Sequence, residues 1–332
     1  MPDESDMRAY SDVTGSPSSD SETLADLELQ LPDRRAGKVR ISWQLPDERR
    51  LFVTTDRLSA FDRIVAVVPW KGQVLNELAA WWFERTCDIV PNHVLSLPDP
   101  NALIAVSAIP LPVEVVVRGA ITGVTDTSLW RRYDDGARVI YGYRLPDGLR
   151  KNEILPGALI TPTTKAEAGG HDEPLSVTDV VTRGLIEPTL WSQVCDAALA
   201  VFARGQRLAA NAGLILADTK YEFGLSPEGQ LLLIDEVHTP DSSRFWETAS
   251  YEARMSSGEE PESLDKELVR QALLQAGYAG DAALPDLDPA VWVQTSVRYR
   301  RAFERITGSA FRPGGTPIAD RITSNLRTAG VL

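Results

Sequence analysis

The chain has few residues of the types that build disulfide frameworks, zinc sites or membrane spans. Its two cysteines, Cys87 and Cys195, provide neither a disulfide framework nor a metal-ligand spacing, so we expect a reducing compartment, the cytoplasm. The three histidines include no His-x-x-x-His pair, which argues against zinc, and we interpret His93 and His238 as structural. No apolar run approaches the ~20 residues of a membrane helix, so no membrane partner is expected.

Basic residues are also in the minority. Lysine and arginine number 34 against 47 aspartates and glutamates, which gives a formal net charge of −13. A general nucleic-acid binder needs a basic face, so this balance argues against one but permits a local basic pocket. The acidic start MPDESD has no apolar core, so we expect it to be neither a signal peptide nor an Arg-rich transit peptide. What remains is an ordinary globular composition, 43% hydrophobic and 24% charged.

The organisation along the chain predicts a leader and two lobes. Residues 1–30 are rich in Ser, Asp, Glu and Thr, which predicts a disordered acidic leader with order beginning near Leu31. Strand patterns dominate the first half and helical patterns the second, which predicts an α+β fold. We expect a β-rich lobe over 31–118 and a larger α+β lobe over 119–332 that ends in helices.

A hairpin is predicted where the first lobe begins. Residues 38–43 alternate polar and apolar side chains, 45–50 form a turn signal, and 51–55 return as a strand. Such a glycine-led hairpin is similar to the lid over nucleotide phosphates in kinase-like folds, although an ordinary hairpin is the simpler interpretation. The other predicted strands are 113–117, 214–217 and 231–234, and the predicted helices are 74–86, 189–212, 263–276 and 289–307.

The most informative polar residues lie on two neighbouring strands. Asp218, Lys220 and Glu222 alternate along one strand and therefore project to one face. Asp235 and Glu236 follow the end of the next strand, so pairing of the two strands would bring Glu222 and Asp235 together. Two carboxylates suit Mg²⁺, which shares its oxygen ligands with substrate phosphates, and a lysine among them would neutralise developing charge. A solvent-exposed hairpin with a salt bridge explains the same spacing.

Three further polar segments are candidate binding loops. Residues 241–244, DSSR, offer hydroxyls and a guanidinium that suit a phosphate or carboxylate. The polar loops 161–172 and 55–62 are also typical of functional sites. Their charged members are Lys165, Glu167, His171, Asp172, Asp56, Arg57 and Asp62, with Lys71 following. Surface turns and solvated connectors use the same residue types, so both interpretations stay open on these segments alone.

Taken together, these segments resemble the SAICAR synthetase family. The resemblance spans about residues 35–275 in one order, and its most specific blocks are 215–224, ILADTKYEFG, and 233–246, LIDEVHTPDSSRFW. The remaining matches are GKVR at 37–40, TDR at 55–57, SAFD at 59–62, KGQVL at 71–75, VVVRG at 115–119, TDTSLW at 125–130, LPDGL at 145–149, TPTTKAE at 161–167, HD at 171–172 and SLDK at 263–266.

The resemblance implies a two-lobed, kinase-like α+β arrangement with ATP in the cleft between the lobes. It implies a ligase that uses ATP and Mg²⁺ to join the carboxylate of a carboxyaminoimidazole ribonucleotide to the amine of L-aspartate through an acyl phosphate. This is a step of purine biosynthesis. The implied partners are these small molecules, without nucleic acid or membrane, in a monomer or a homodimer.

The resemblance also assigns roles to residues. Lys220 and Asp218 would line the reacting centre, and Glu222 and Asp235 would ligate Mg²⁺. The implied ATP-binding residues are Gly37, Lys38, Val39, Arg40, Glu114 and Lys165. The implied substrate-binding residues are Arg118, Thr125, Ser128, Ser242, Ser243, Arg244, Asp172 and Lys266, with Ser59, Asp62, Lys71 and His171 as candidates for aspartate.

Four positions depart from the family pattern on the substrate side, while the block from Asp218 to Arg244 is intact. They are Ile41, Ala120, Val124 and Tyr141, where the family usually has Asp, Tyr, Ser and Cys. Two alternatives therefore stay open. One is a specialised paralogue that joins aspartate to a related heterocyclic ribonucleotide in nucleoside-antibiotic biosynthesis, and the other is an inactive, ATP-binding regulatory protein.

Overall fold

The computed structural model describes residues 23–61, 63–165, 173–278, 280 and 283–332. Within that part, the first elements in chain order are β1 (Arg35–Ala36), β2 (Arg40–Leu45), β3 (Arg49–Thr54), β4 (Arg57–Ala60), β5 (Arg63–Val67), α1 (Lys71–Thr86), β6 (Val94–Asp99) and β7 (Ala102–Val106). Five of these strands form an antiparallel sheet in the order β1-β2-β3-β7-β6. The predicted hairpin is confirmed, since Arg40 pairs with Thr54 and Leu45 with Arg49.

The predicted leader boundary is too late. Leu24, Leu27 and Leu29 are buried in the core of the first sheet, beside Ile41 and Trp43. The backbone N–H of Leu24 also donates a 2.8 Å hydrogen bond to a buried carboxylate, that of Asp56. The composition averaged over 1–30 predicted disorder because the segment is mostly polar. That average hid the three leucines near its end, each of which buries its side chain. Residues 23–30 therefore belong to the folded lobe.

The part of the chain after β7 builds a second sheet. Its elements are β8 (Ile109–Ile121), α2 (Leu129–Asp134), β9 (Val139–Ile140), β10 (Tyr143–Arg144), β11 (Glu153–Thr164), α3 (Val177–Thr182), α4 (Pro188–Asn211), β12 (Leu214–Leu225), β13 (Leu231–Ile234) and β14 (Ser243–Glu247). Across the described residues the strand order is β11-β8-β12-β13, and β14 also pairs with β12. The predicted α+β class and the pairing of β12 with β13 are confirmed.

The predicted lobe boundary at residue 118 is wrong. The strand β8 runs through that position and pairs with β11 and β12, so the whole of it belongs to the second sheet. The first lobe ends instead between β7 and β8. It also recruits the C-terminal helix, because Ile318, Ile322 and Leu326 pack into its core. A boundary set by strand content alone misses both facts, since pairing partners are distant in sequence.

Helices complete the second lobe and return to the first. They are α5 (Thr248–Ser257), α6 (Glu267–Gln275), α7 (Pro289–Thr307) and α8 (Ile318–Thr328). The helix predicted over 263–276 begins four residues later, because Ser263 bridges to Trp246 and the N–H of Leu264 donates to the carbonyl of Phe245. None of the helices in the described ranges combines the length and the apolar character of a membrane span.

The largest core lies between the second sheet and two helices. Trp82 of α1 and Phe202 of α4 pack with Val117 of β8 and Tyr221 of β12. Because this packing covers one face of β12, its other face remains for polar residues. The core therefore fixes the strand that carries most of the predicted site.

His238 fixes the segment between β13 and β14 within this core. Its ring is fully buried, and its Nε2 lies 2.5 Å from the Tyr221 hydroxyl oxygen, with which it shares a hydrogen bond. Trp82 meets the ring edge-on, with the centroids 4.6 Å apart. Gly205 of α4 closes the socket, because a Cβ there would overlap the imidazole. Burial lowers the pKa of His238 to about 3, which favours the neutral ring.

We expect Gly205→Ala to disturb the site segment. In a helix interior, alanine is favoured over glycine by about 1 kcal/mol, so propensity alone predicts stabilisation. The overlap with His238 works against this and costs roughly 1–3 kcal/mol. Chemical unfolding should show a lower free energy of unfolding for Gly205→Ala, and kinetic assays should show a lower activity.

Gly157→Ala is the control, since Gly157 has open space around its Cβ position and no positive φ. A more stable and fully active Gly205→Ala protein would contradict the socket, while recovery of stability in Gly205→Ala/His238→Ser would support it.

Candidate active site

The register between β8 and β12 brings the predicted charged residues onto one surface. Asp218 pairs with Arg118 across the two strands, and Glu222 pairs with Glu114. Two glutamates in direct cross-strand opposition repel each other. Lys220 resolves this, because its Nζ lies 2.7 Å from Glu114 Oε1 and 3.1 Å from Glu222 Oε1. The alternation predicted for β12 is therefore confirmed, and it places the lysine between two acids.

The segment after β13 and the loops of the first sheet complete this group. Arg40 at the start of β2 pairs with Asp235, and its Nη2 lies 3.2 Å from Glu236 Oε2. Lys165 follows β11, and its Nζ lies 2.5 Å from Glu222 Oε2. We call these residues the mixed-charge cluster: Arg40, Glu114, Lys165, Lys220, Glu222, Asp235 and Glu236.

Burial and neighbouring charges set the protonation of the cluster. Burial disfavours the charged form of Arg40, but Asp235 and Glu236 outweigh it and raise the pKa of Arg40. Burial likewise opposes the charge on Lys220, whose pKa Glu222, Glu114 and Asp235 nevertheless raise. The pKa of Glu236 is raised by burial despite Arg40. Arg40 and Lys220 therefore keep their charge, and Glu236 holds a proton more readily than an exposed glutamate.

The carboxylates fit a magnesium ion shared with phosphates. Glu222 lies opposite Ile234 in the strand pairing, so the next residue, Asp235, emerges beside it. Among the described residues, no group of three or more His, Cys, Asp or Glu side chains could hold a metal by itself. Mg²⁺ characteristically takes one or two protein carboxylates and completes its shell with water and substrate phosphates. The two oxygen donors, surrounded by three cations, therefore fit Mg²⁺ bound to a polyphosphate.

A second group of charges surrounds Asp218, which lies earlier in β12 than Lys220 and Glu222. The Nη1 atoms of Arg244 and Arg118 lie 2.5 and 3.6 Å from the same oxygen, Asp218 Oδ2. Glu267 is 3.9 Å from Arg244 Nε but 3.4 Å from Arg270. Two guanidinium groups thus converge on one carboxylate, and planar guanidinium groups suit phosphate or carboxylate ligands. We call Arg118, Arg244 and Asp218 the arginine pair with its aspartate.

The turn after β8 approaches this pair closely. Gly123 has φ +93°, and a Cβ there would lie 2.6 Å from Ser128 Oγ and 3.4 Å from Arg244 Nη2. Thr125 Oγ1 and Ser128 Oγ lie 2.8 Å apart. The structure therefore brings two predicted substrate residues, Thr125 and Ser128, to the arginine pair. Val124, in the same turn, is 36% exposed.

A third group holds the segment 239–244 against the helices. Lys71 has no solvent-exposed side-chain surface, and its Nζ lies 2.7 Å from Asp241 Oδ2. Tyr299 of α7 donates to the other oxygen of Asp241 at 2.6 Å, and Lys266 Nζ lies 3.9 Å from it. Burial opposes ionisation of Asp241, yet Lys266 and Lys71 lower its pKa. A ligand would reach Lys71 only if Asp241 moved, so Lys71 positions the segment in this structure.

The remaining predicted residues have diverse placements. Ser243 Oγ lies 2.8 Å from Thr219 Oγ1, and the carbonyl of Ser242 accepts from the N–H of Lys220, so both serines fix β14 to β12. Lys38 is exposed, and Ser59 lies half-buried in β4. The carbonyls of Gly37 and Val39 accept hydrogen bonds from Arg57 and Thr55. The predictions for Asp62, His171 and Asp172 lie outside the described residues.

One residue of the site was missed by the sequence analysis, and two others were noted there without a role. Glu236 and Asp241 belong to two of the candidate segments, 235–236 and 241–244, but neither was assigned a role. Tyr299 carried no sequence signal, because it reaches Asp241 from a helix 58 positions away. Only the packing of α7 reveals it.

The departures from the family pattern fall in two environments. Ile41 and Ala120 are fully buried. Tyr141 has φ +53°, and its hydroxyl donates a 2.6 Å hydrogen bond to the carbonyl of Thr127, which also accepts from Arg118. Tyr141 thus supports an arginine-pair neighbour, and Val124 alone of the four lies open to solvent at the turn.

The chain is similar to known proteins over most of its length. The family model described as SAICAR synthetase matches residues 33–286. A protein of Mesorhizobium japonicum named putative phosphoribosylaminoimidazole-succinocarboxamide synthase 2 is 50% identical over 92% of this chain and 98% of its own length. The phosphoribosylaminoimidazole-succinocarboxamide synthase of Legionella pneumophila strain Lens is 45% identical over 92% and 97% of the two chains.

A solved structure agrees with these relatives. The SAICAR-synthase of Saccharomyces cerevisiae, in a structure described as complexed with SAICAR, superposes with a TM-score of 0.75. It is 30% identical and covers 88% of this chain and 100% of its own. A family match over most of the chain, relatives at 45–50% identity and a shared fold lead to one conclusion. The chain belongs to the SAICAR synthetase family.

Proposed function

We propose that this protein is a ligase of purine biosynthesis that joins a carboxyaminoimidazole ribonucleotide to L-aspartate, with ATP and Mg²⁺, and releases ADP and phosphate. One observation carries the proposal. The mixed-charge cluster and the arginine pair occupy successive outward positions of β12, through Glu222, Lys220 and Asp218. A polyphosphate at the first and a phosphorylated carboxylate substrate at the second would meet at Lys220. The names of its relatives support the same reaction.

The nucleotide end of the reaction falls to the mixed-charge cluster. Glu222 and Asp235 would hold Mg²⁺, which when bound neutralises charge on the transferring phosphoryl group. Lys165 and Arg40, now paired with these two acids, are placed to bind phosphate oxygens. Gly37, Lys38 and Val39, in the loop that leads into β2, would cover the phosphates. Glu114 would keep Lys220 oriented through their 2.7 Å contact.

The acceptor end falls to the arginine pair. Arg118 and Arg244 would bind the ribonucleotide, with Thr125 and Ser128 beside them. Transfer of the γ-phosphoryl group to the acceptor carboxylate makes an acyl phosphate, and Lys220 stabilises the charge that develops there. The aspartate amine then attacks the acyl carbon, phosphate leaves, and the amine loses a proton. Ser59 is proposed on the aspartate side, and Lys71 acts there through Asp241. Lys266, Ser242 and Ser243 are proposed as further substrate-binding residues.

A specialised paralogue is the second candidate, and Val124 favours it. Its apolar side chain stands at the open turn beside Arg244, where the family usually has a serine. Such an enzyme would use the same bond-forming chemistry on another carboxylated heterocyclic ribonucleotide. Turnover of a panel of such acceptors distinguishes the two, because faster turnover of a non-imidazole acceptor favours the paralogue. Lys220, Glu222 and Asp235 are all retained in the mixed-charge cluster, which argues against an inactive regulator. The low cysteine content supports a cytoplasmic location.

Glu222→Gln and Asp235→Asn should each lower kcat roughly 100-fold or more, since each removes a charge that holds the metal and its phosphates. The assay is ADP release with Mg²⁺–ATP, L-aspartate and the carboxyaminoimidazole ribonucleotide, with mass analysis of the product. The unmodified protein should turn over at roughly 1–10 s⁻¹.

Asp88→Asn is the control for these two variants. Asp88 pairs with Arg204 at 2.8 Å outside both charged groups, so its loss should leave turnover unchanged. Rates like those of the unmodified protein in both Glu222→Gln and Asp235→Asn would remove the metal assignment. A folded protein that binds ATP but produces no amide would remove the proposed acceptor.

Val124→Ser should lower KM for the carboxyaminoimidazole ribonucleotide and leave KM for ATP unchanged. A hydroxyl that bonds a charged phosphate contributes about 1.5–3 kcal/mol when nothing else replaces it. Steady-state kinetics with each substrate varied in turn measure this effect. Val124→Ala serves as the control for size, and an unchanged or raised KM in Val124→Ser would indicate a different acceptor.

A further inference from the structure

A small cavity lies beside Arg244, between the turn after β8 and the segment that joins α5 to α6. Its lining includes Gly123, Val124, Lys151, Glu260 and Gln271. The volume is about 20 Å³, which is room for a single water molecule. The cavity therefore continues the arginine pair, but in this state it is too small for a phosphate.

A carboxylate closes the cavity. Glu260 pairs with the ammonium of Lys151 and accepts a 2.8 Å hydrogen bond from Asn152 Nδ2. Asn152 is 3% exposed and accepts a 2.7 Å hydrogen bond from Thr122, so its amide is held in place as a donor. Two hydrogen-bond donors thus converge on the Glu260 carboxylate: the charged ammonium of Lys151 and the neutral amide of Asn152. They form a site for an anion, and the protein's own carboxylate fills it.

The carboxylate can leave this site without a change of fold. Its own backbone is anchored, because the carbonyl of Glu260 accepts from Arg254 and that of Glu262 accepts from the N–H of Glu247. The side chains of Lys151 and Glu260 are 32% and 43% exposed, and ion pairs at such exposure contribute little to stability. Rotation of the Glu260 side chain into solvent therefore frees Lys151 and enlarges the cavity at low cost.

We propose that Lys151 binds the phosphate of the ribonucleotide substrate and that Glu260 occupies the same donors until the substrate displaces it. This inference rests on the proposed function. A phosphomonoester carries about −1.5 to −2 charges at pH 7 and three acceptor oxygens, against one charge on Glu260, so the exchange favours the substrate. Lys151 thereby supplies a charged contact next to a turn in which Val124 supplies no hydroxyl.

Substitutions of Lys151 and of Glu260 should change KM for the ribonucleotide in opposite directions. Lys151→Met should raise KM for the ribonucleotide roughly tenfold, because it removes a charge-assisted hydrogen bond. Glu260→Gln should lower that KM about two- to fivefold, because it removes the competing charge. Lys151→Arg keeps the charge and should stay within about twofold of the unmodified protein. KM for ATP should not change in any of them.

Arg204→Met and Asp88→Asn are the matched controls, since they break an exposed ion pair of similar geometry elsewhere. An unchanged KM in Lys151→Met would overturn the proposal. So would a raised KM in Glu260→Gln, since a purely structural ion pair predicts harm from either change.

Direct binding separates this inference from the proposed function. Calorimetry with ribose 5-phosphate should show a Kd that weakens roughly tenfold in Lys151→Met. If inorganic phosphate binds as tightly as ribose 5-phosphate, the site takes free phosphate and the assignment to the ribonucleotide is wrong. Lys151-dependent binding without amide formation would keep this inference and remove the proposed acceptor reaction. Normal amide formation with an unchanged KM in both Lys151→Met and Glu260→Gln would keep the proposed reaction and remove this inference.

Discussion

The register of β8 against β12 is the constraint on which both charged groups depend. An isolated ion taken out of water costs several kcal/mol, so a buried charge persists only beside a partner of opposite sign. The register meets this condition twice, by setting Asp218 between two arginines and Lys220 between two glutamates. A slip of one residue would turn every one of these side chains to the other face, against the apolar core. The same packing that buries Tyr221 therefore fixes the site.

The segment 235–244 depends on a different kind of restraint. Asp235 and His238 both have positive φ values, 65° and 47°, in a region that side chains other than glycine adopt at a cost. Surrounding contacts must hold such a backbone. The His238 socket holds its middle, and the buried pair of Lys71 and Asp241 holds its end. Strain at one end of the site is thus offset by packing in the core and by one buried ion pair.

The sequence predicted what depends on local pattern. Alternation along 218–222 predicted the face shared by Asp218, Lys220 and Glu222, and the turn at 226–229 made pairing with the strand 231–234 the natural expectation. Contacts between distant segments were not predictable in this way. Tyr299 reaches Asp241 from another helix, β8 crosses the expected boundary because of its pairing partners, and the leucines of 23–30 find their partners in β2 and α8. Composition and periodicity contain no information on those partners.

The net charge of −13 bears on how this site takes anions. The cations of the site are not unopposed: Arg40 holds Asp235, Lys165 holds Glu222, and Lys151 holds Glu260. At the proposed site, a bound anion would therefore replace an internal carboxylate instead of adding to an empty basic pocket. The binding free energy is then the difference between the ion pair that the cation forms with the ligand and the ion pair that it gives up with the internal carboxylate. This difference favours ligands of higher charge than a carboxylate. Polyphosphates and phosphomonoesters meet that requirement, whereas a singly charged carboxylate gains nothing by the exchange. An acidic protein can in this way select phosphorylated substrates without a basic surface that would attract nucleic acid.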